Sequence, residues 1–165
     1  MSDKDFPVTN GIRDIKKLGI EFIPYQYKYE EKGGTAQTST ELNVDEHNVI
    51  KTLVMEDDTK REFIVLMHGD REVSTKELAR EIGVKTIAPA SADKAFKATG
   101  YQFGGTSPFG TKKKMQVYSE ISILGLDKIY INGGKRGFII EINPQDLYKA
   151  FDLITVNVAI SKAGK

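Results

Sequence analysis

The stretch Asn48-Val-Ile-Lys-Thr-Leu-Val-Met-Glu56 decides how the rest of the chain is read. β-Branched and other apolar side chains fill most of it, which predicts a strand. Period-two alternation places Val49, Lys51, Leu53 and Met55 on one face and Ile50, Thr52 and Val54 on the other. Lys51 is therefore the polar exception on an otherwise apolar face. A turn over Glu56 to Lys60 leads into Glu62 to Met67, expected to be the antiparallel partner of this strand.

Toward the N-terminus, a strand is expected from Ile20 to Tyr29. A helix precedes it, with Asn10 as N-cap, Ile12, Ile15 and Leu18 on one face and Gly19 as its stop. Residues 30–37 read as a glycine-containing loop bordering a pocket, and Thr38-x-x-Glu41 as a capping box that opens a short helix.

Toward the C-terminus, Ser74-x-x-Glu77 is a second capping box, for a helix that ends at Gly83. Pro89-Ala90-Ser91 introduces another short helix, ending near Gly100. Met115 to Tyr118, Lys128 to Asn132 and Phe138 to Ile142 read as strands. Asn143-Pro-Gln-Asp146 supplies an N-cap and a proline at the first helical position, so a helix is expected to about Phe151. A last strand is expected from Leu153 to Ile160. Strands and short helices alternate without a βαβ rhythm. The fold class is thus α/β (α+β): a mixed sheet flanked by helices, in one domain over residues 1–165.

At 165 residues the chain can bury a core without disulfides or a structural metal. It has no cysteine, which excludes disulfides, thiolate nucleophiles and cysteine metal sites. Net charge is only +1, yet residues 110–136 carry +4 and the remainder −3. A local basic face can thus receive phosphates on a nearly neutral molecule. No apolar run approaches the length of a membrane span, and Met-Ser-Asp-Lys-Asp-Phe-Pro lacks an export signature, so a cytoplasmic location without membrane contact is expected.

The residues richest in chemistry are Gly100-Tyr-Gln-Phe-Gly-Gly-Thr-Ser-Pro-Phe-Gly110, followed by Lys112, Lys113 and Lys114. Gly104 and Gly105 permit positive φ or close approach of a ligand, Thr106 and Ser107 offer hydroxyls, and Pro108 stiffens the loop. Backbone donors held in this way form a concave anion site. From composition alone, a structural loop with incidental lysines fits equally well.

Three ordered segments resemble the YbaK family of aminoacyl-tRNA deacylases, relatives of the editing domain inserted in bacterial prolyl-tRNA synthetases. They are Val49-Ile-Lys-Thr-Leu53, Thr99 through Gly110, and Ile131-Asn-Gly-Gly-Lys-Arg-Gly137. The resemblance spans roughly residues 10–152 and implies a mixed, strongly curved sheet flanked by helices. It implies that Lys51, in its Lys-Thr dipeptide with Thr52, is the residue most closely tied to activity. It also implies that Gly104 to Pro108 and Asn132-Gly133-Gly134 wall the ester between amino acid and terminal ribose. The Cys-specific branch of that family carries an acid two residues after the last glycine of the third segment, where this chain has Ile139. Cys-tRNA(Pro) specificity is therefore open, alongside Ala and Ser.

On this basis Lys51, Gly104 and Gly105 are the expected catalytic residues. Tyr27, Thr52, Thr106, Ser107, Pro108, Asn132, Gly133, Gly134 and Ile139 are expected to bind substrate. Lys112, Lys113, Lys114, Lys135 and Arg136 are expected to receive tRNA phosphate. Ester hydrolysis passes through an oxyanion that preorganised N–H donors stabilise, and a cationic Lys51 can hold the terminal phosphate or ribose hydroxyls. The attacking group is then water or a group on the substrate. No cofactor is expected, and His47 and His68 stand apart from any metal-ligand spacing. The expected partners are the acceptor end of an aminoacyl-tRNA and a prolyl-tRNA synthetase. The competing reading is a non-catalytic module binding a tRNA end, a nucleotide or a synthetase, since no general base is visible.

Overall fold

A computed structural model describes residues 6–162. In chain order the elements are α1 (Asn10–Lys17), β1 (Ile23–Gln26), α2 (Gly34–Leu42), β2 (Val49–Asp57), β3 (Glu62–His68), β4 (Arg71–Val73) and α3 (Thr75–Ile82). There follow β5 (Ile87–Pro89), α4 (Ala92–Thr99), β6 (Val117–Glu120), β7 (Ile129–Lys135), β8 (Phe138–Ile142), α5 (Leu147–Ala150), β9 (Ile154–Val156) and β10 (Ala159–Ser161). Short 3-10 turns occupy Glu46–Asn48, Ile121–Gly125 and Pro144–Asp146.

The main sheet runs β1-β8-β7-β2-β3-β6-β9, with β5 also paired to β2. The pairs β2–β7, β3–β6 and β6–β9 are parallel and the others antiparallel, so the sheet is mixed, as the sequence predicts. β4 and β10 form a separate two-stranded sheet.

The alternation in β2 holds. Ile50 and Val54 pack with Ile64, Leu66, Ile131 and the α1 residues Ile12 and Ile15. Leu53 and Met55 pack with Phe63, Val65, Met67 and the α3 residues Leu78 and Ala79. Val49 joins a third, smaller cluster with Tyr130, Ile139, Tyr25, Tyr27 and Leu42 of α2. β2 is thus covered on both faces, and burial of these side chains is worth about 1.5–3 kcal/mol each.

One edge of β2 is filled by β3 from Ile50 to Glu56. The other edge is shared: β7 pairs with Val49 and Ile50, and β5 with Met55 to Asp57. Among the described residues no strand pairs with that edge across residues 51–54. The sheet forks there, and the fork opens a cavity.

Several expectations need correction. The cap of α1 is Thr9, not Asn10: Thr9 Oγ1 accepts from the Ile12 N–H at 3.1 Å and donates to Gly133 O at 2.5 Å. Two cap-competent residues stand side by side, and the tertiary bond to Gly133 favours Thr9. Thr38 is no cap either, because α2 begins at Gly34; the Thr38 hydroxyl lies in mid-helix, 2.7 Å from that of Tyr27. β1 covers four residues of the ten expected, and the Tyr27 N–H bonds to Gly137 O beyond the strand. The expected last strand breaks into β9, on β6, and β10, on β4. β4 and β5, three residues each, were too short to read in the sequence. The expected caps Ser74 and Asn143 accept from backbone N–H groups of the turns they open, and Ser91 caps α4 in the same way. The expected domain also takes in residues 1–5 and 163–165, which lie outside the described residues.

Candidate active site

The fork in β2 opens a cavity of about 600 Å3. In the parallel β2–β7 ladder Val49 lies opposite Tyr130 and Ile50 opposite Ile131, so Lys51 comes next to Asn132, which in turn pairs with Ile139 on β8. These three side chains form one cross-strand row and all line the cavity. Tyr27 and Tyr29 line it from the segment after β1, Gly34 to Thr38 from α2, and Phe103, Gly104 and Thr106 from the glycine loop.

Lys51 is half-buried. Burial pushes its amine below the ordinary lysine range and the nearby Lys162 charge acts in the same direction, while Glu72, Glu46 and Asp70 oppose them. Lys162 also lines the cavity, its Nζ 3.3 Å from Glu46 Oε2, and that carboxylate accepts from Thr35 Oγ1 at 2.7 Å. Lys162 carries no signal in the sequence, and Glu46, which reads there with Asp45 as a solvated turn charge, is instead a paired carboxylate on the cavity wall. Thr52 lines the cavity too, and its buried Oγ1 has no hydrogen-bond partner among the described residues. A buried hydroxyl left without a partner is costly, so this one takes its partner from whatever fills the cavity, water or ligand. Burial raises the Tyr27 phenol above its usual range, so it stays protonated against Thr38.

The glycine loop divides into a cavity-facing part and a buried part. Gly104, with φ +86°, faces the cavity, and an added Cβ there would meet the Tyr29 hydroxyl at 2.6 Å. Gly105 is not on the wall. Its N–H bonds to Gln102 O at 2.9 Å, so it is no free oxyanion donor, and a Cβ would lie 2.7 Å from the Arg136 backbone nitrogen. Ser107 is fully buried and accepts from the Phe109 N–H at 3.0 Å, under the start of α1. Pro108 lines a different cavity, with Asp14 and Phe151. Both therefore brace the loop from behind.

The second glycine turn is tied to the first through Asn132. Its Oδ1 accepts from the N–H groups of Gly134 at 2.6 Å and Lys135 at 3.1 Å, and its Nδ2 donates to Lys135 O and Gly104 O. Gly133 and Gly134 lie behind this amide and off the cavity wall. A Cβ on Gly133 would strike the Phe138 ring at 2.6 Å.

The expected basic residues separate in space. Arg136 stands by the cavity, its Nε donating to Phe103 O at 2.8 Å and its guanidinium 4.9 Å from the centre of the Tyr29 ring. Lys113 is paired with Glu62 at 2.8 Å, Lys112 lies over Phe96, and Lys114 borders the cavity of Pro108. The lysine run therefore does not extend the cavity wall.

The fold also unites residues that are separate in sequence: His47, His68 and Asp70 bring ligand-type atoms within 4.8 Å of one another. His68 Nδ1 lies 2.7 Å from His47 O, which only accepts, so the proton sits on Nδ1. Nε2 then accepts from Ser122 Oγ at 2.7 Å. Both ring nitrogens are engaged, and burial holds His68 neutral by lowering its pKa. These bonds suit a structural role better than metal ligation.

A model of the aminoacyl-tRNA editing domain matches residues 30–150. The chain belongs to that family. The resemblance carried by Lys51 and the two glycine motifs is thereby met, and the chain is a deacylase of the hydrolase class. The aminoacyl-tRNA editing domain also accounts for its curated relatives. The chain is 28% identical over 138 residues to an Enterococcus faecalis protein provisionally named Cys-tRNA(Pro)/Cys-tRNA(Cys) deacylase EbsC, covering 83% of this chain and 84% of that protein. It is 30% identical over 133 residues to the proline–tRNA ligase of Thermodesulfovibrio yellowstonii, covering 74% of this chain but 22% of the ligase. The hypothetical protein APE2540 shares the fold with a TM-score of 0.84 at 22% identity, over 92% of this chain and all of that one. So does a candidate trans-editing enzyme for prolyl-tRNA synthetase, with a TM-score of 0.80 at 14% identity over 92% and 96%.

Proposed function

We propose that this chain is a free-standing trans-editing deacylase that hydrolyses the ester of a mischarged tRNA(Pro) carrying Cys, Ala or Ser. The observation that carries the reading is the row Lys51–Asn132–Ile139 on the cavity wall, with Gly104 held beside it through the Asn132 amide. The names of the EbsC and ligase relatives support the tRNA(Pro) assignment.

The cationic Lys51 holds the terminal phosphate or ribose hydroxyls. The Thr52 hydroxyl is a further partner for the substrate. Water, or a group on the substrate, adds to the ester carbonyl carbon. The resulting oxyanion is met by backbone donors of the Gly104 segment, each worth roughly 3–4 kcal/mol when well placed. The bond to the ribose oxygen then breaks and that oxygen takes a proton, leaving uncharged tRNA with free amino acid where water attacked, or with a cyclic ester or thioester that water then opens where a substrate side chain attacked. Among the described residues no Ser, Cys or His lines the cavity, so no Ser–His or Cys–His pair is available there, and the reading assigns attack to water or the substrate. Glu46 is the carboxylate on the wall, and it is engaged by Thr35 and Lys162. Ile139 gives an apolar surface where the Cys-specific branch has an acid, which favours Ala as the residue cleared. A site that removes small wrong products supplements a synthetase pocket that cannot reject them.

The test is release of amino acid from tRNA(Pro) charged with Cys, Ala or Ser, using purified protein. Turnover above buffer on at least one, with none on Pro-tRNA(Pro), is the expected result. Tight tRNA binding without ester cleavage on any would support the binding-module reading instead.

A further inference from the structure

Phe103 is 77% exposed, more than any other large hydrophobic side chain among the described residues. A single exposed apolar side chain is ordinary on a protein surface, but this one stands on the wall of the cavity, where its face is open to a ligand. Its backbone is held: Arg136 donates to its carbonyl, and the Gly105 N–H closes a turn onto the preceding Gln102. The Arg136 guanidinium in turn stacks on Tyr29, and Tyr29 reaches the loop because Gly104 carries no side chain. Phe103 and Tyr29 both line the cavity, together with Lys32.

We infer that Phe103, with Arg136 stacked on Tyr29 beside it, is a platform for the nucleobase of the ribose that carries the aminoacyl ester. The inference rests on the proposed deacylase reading. Base and ester share one ribose, so an ester held at Gly104 leaves its base only a few bonds away, at the level of the adjacent residue. An exposed aromatic ring on a held backbone, beside a guanidinium, suits a π-stacked base with its phosphate, whichever base it is. The class of ligand is therefore a single-stranded RNA 3′ end, recognised by stacking.

The chain contains no tryptophan, so Phe103→Trp introduces a unique fluorophore at an exposed position. The probe is an uncharged RNA hairpin ending in a single-stranded CCA, compared with the same hairpin made abasic at its last nucleotide. Saturable quenching by the first, with at least tenfold weaker response to the second, is expected. In deacylation, Phe103→Ala should raise KM about tenfold with the effect on KM rather than kcat, and Phe103→Tyr should restore it. An unquenched tryptophan or an unchanged KM overturns the platform, even where the wild-type protein deacylates. If instead the wild-type protein cleaves no mischarged tRNA while the tryptophan responds only to the hairpin with its terminal base, the platform stands and the deacylase reading fails.

Discussion

Lys162 Nζ lies 3.3 Å from Glu46 Oε2 on the wall of the cavity that Lys51 floors. The contact joins the residue after β10 to the 3-10 turn before β2, and it places a second amine near the first. Lys162 lies beyond residues 30–150, so it is outside the segment that defines the family. Its charge reinforces the effect of burial on Lys51.

The pair predicts a shift in pH dependence. With a cationic Lys51 required, kcat/KM falls on the alkaline side as pH rises through the Lys51 pKa. Lys162→Met removes a like charge and frees Glu46, and both changes raise that pKa. The alkaline limb of the kcat/KM profile should move to higher pH, and a limb that stays in place would sink the electrostatic link.

Lys51 should also lower stability. Its folded pKa is below the unfolded value of 10.5, so the unfolded chain binds more protons between the two, and stability rises with pH across that window. Below the window the partly desolvated charge is a standing cost. Lys51→Met should raise Tm at pH 7 by roughly 2–4 °C for each kcal/mol recovered, with a smaller gain above pH 10.5. An equal or lower Tm at pH 7 would contradict this.

His68 gives the opposite end of the pH range. Its folded pKa is lowered by burial from 6.5, so stability is full above the unfolded value and is lost as pH falls from 6.5 through the folded pKa. Ser122→Ala removes the donor to Nε2 and should cost about 1–3 kcal/mol in urea denaturation at pH 7. An unchanged midpoint at pH 7 would show that the Ser122 bond contributes nothing to the buried ring.

Gly105→Ala tests the division of the glycine loop. The added methyl would meet the Arg136 nitrogen at 2.7 Å and the Lys135 carbonyl carbon at 2.9 Å, both backbone atoms. A loss of about 1–3 kcal/mol is expected, with activity falling alongside Tm. Full stability with abolished turnover would instead return Gly105 to a direct catalytic role.

The centre of the fold was legible because β2 and β3 are apolar runs of strand length joined by a polar turn, and because Ser74 and Asn143 each have one obvious capping role. Lys51 and the glycine loop were legible through their order along the chain. Thr38-x-x-Glu41 misled because a capping-box pattern also fits inside a helix, and the glycines at 33 and 34 suggested a loop where α2 begins. Gly105, Ser107 and Pro108 belong to the motif, yet only the three-dimensional turn decides which of its members face outward. Lys162 reaches the site through three-residue pairing of β10 with β4, a tertiary contact with no local signal. Phe103 carried no pattern at all; its exposure is its signal.

The most direct test of the account is the single-turnover rate of ester cleavage on mischarged tRNA(Pro), with enzyme in excess, for the wild-type protein and Lys51→Ala. The account predicts rapid release of amino acid by the wild type and loss of most of that rate in a variant that remains folded and keeps its Tm or gains. A folded Lys51→Ala that cleaves at the wild-type rate would contradict it.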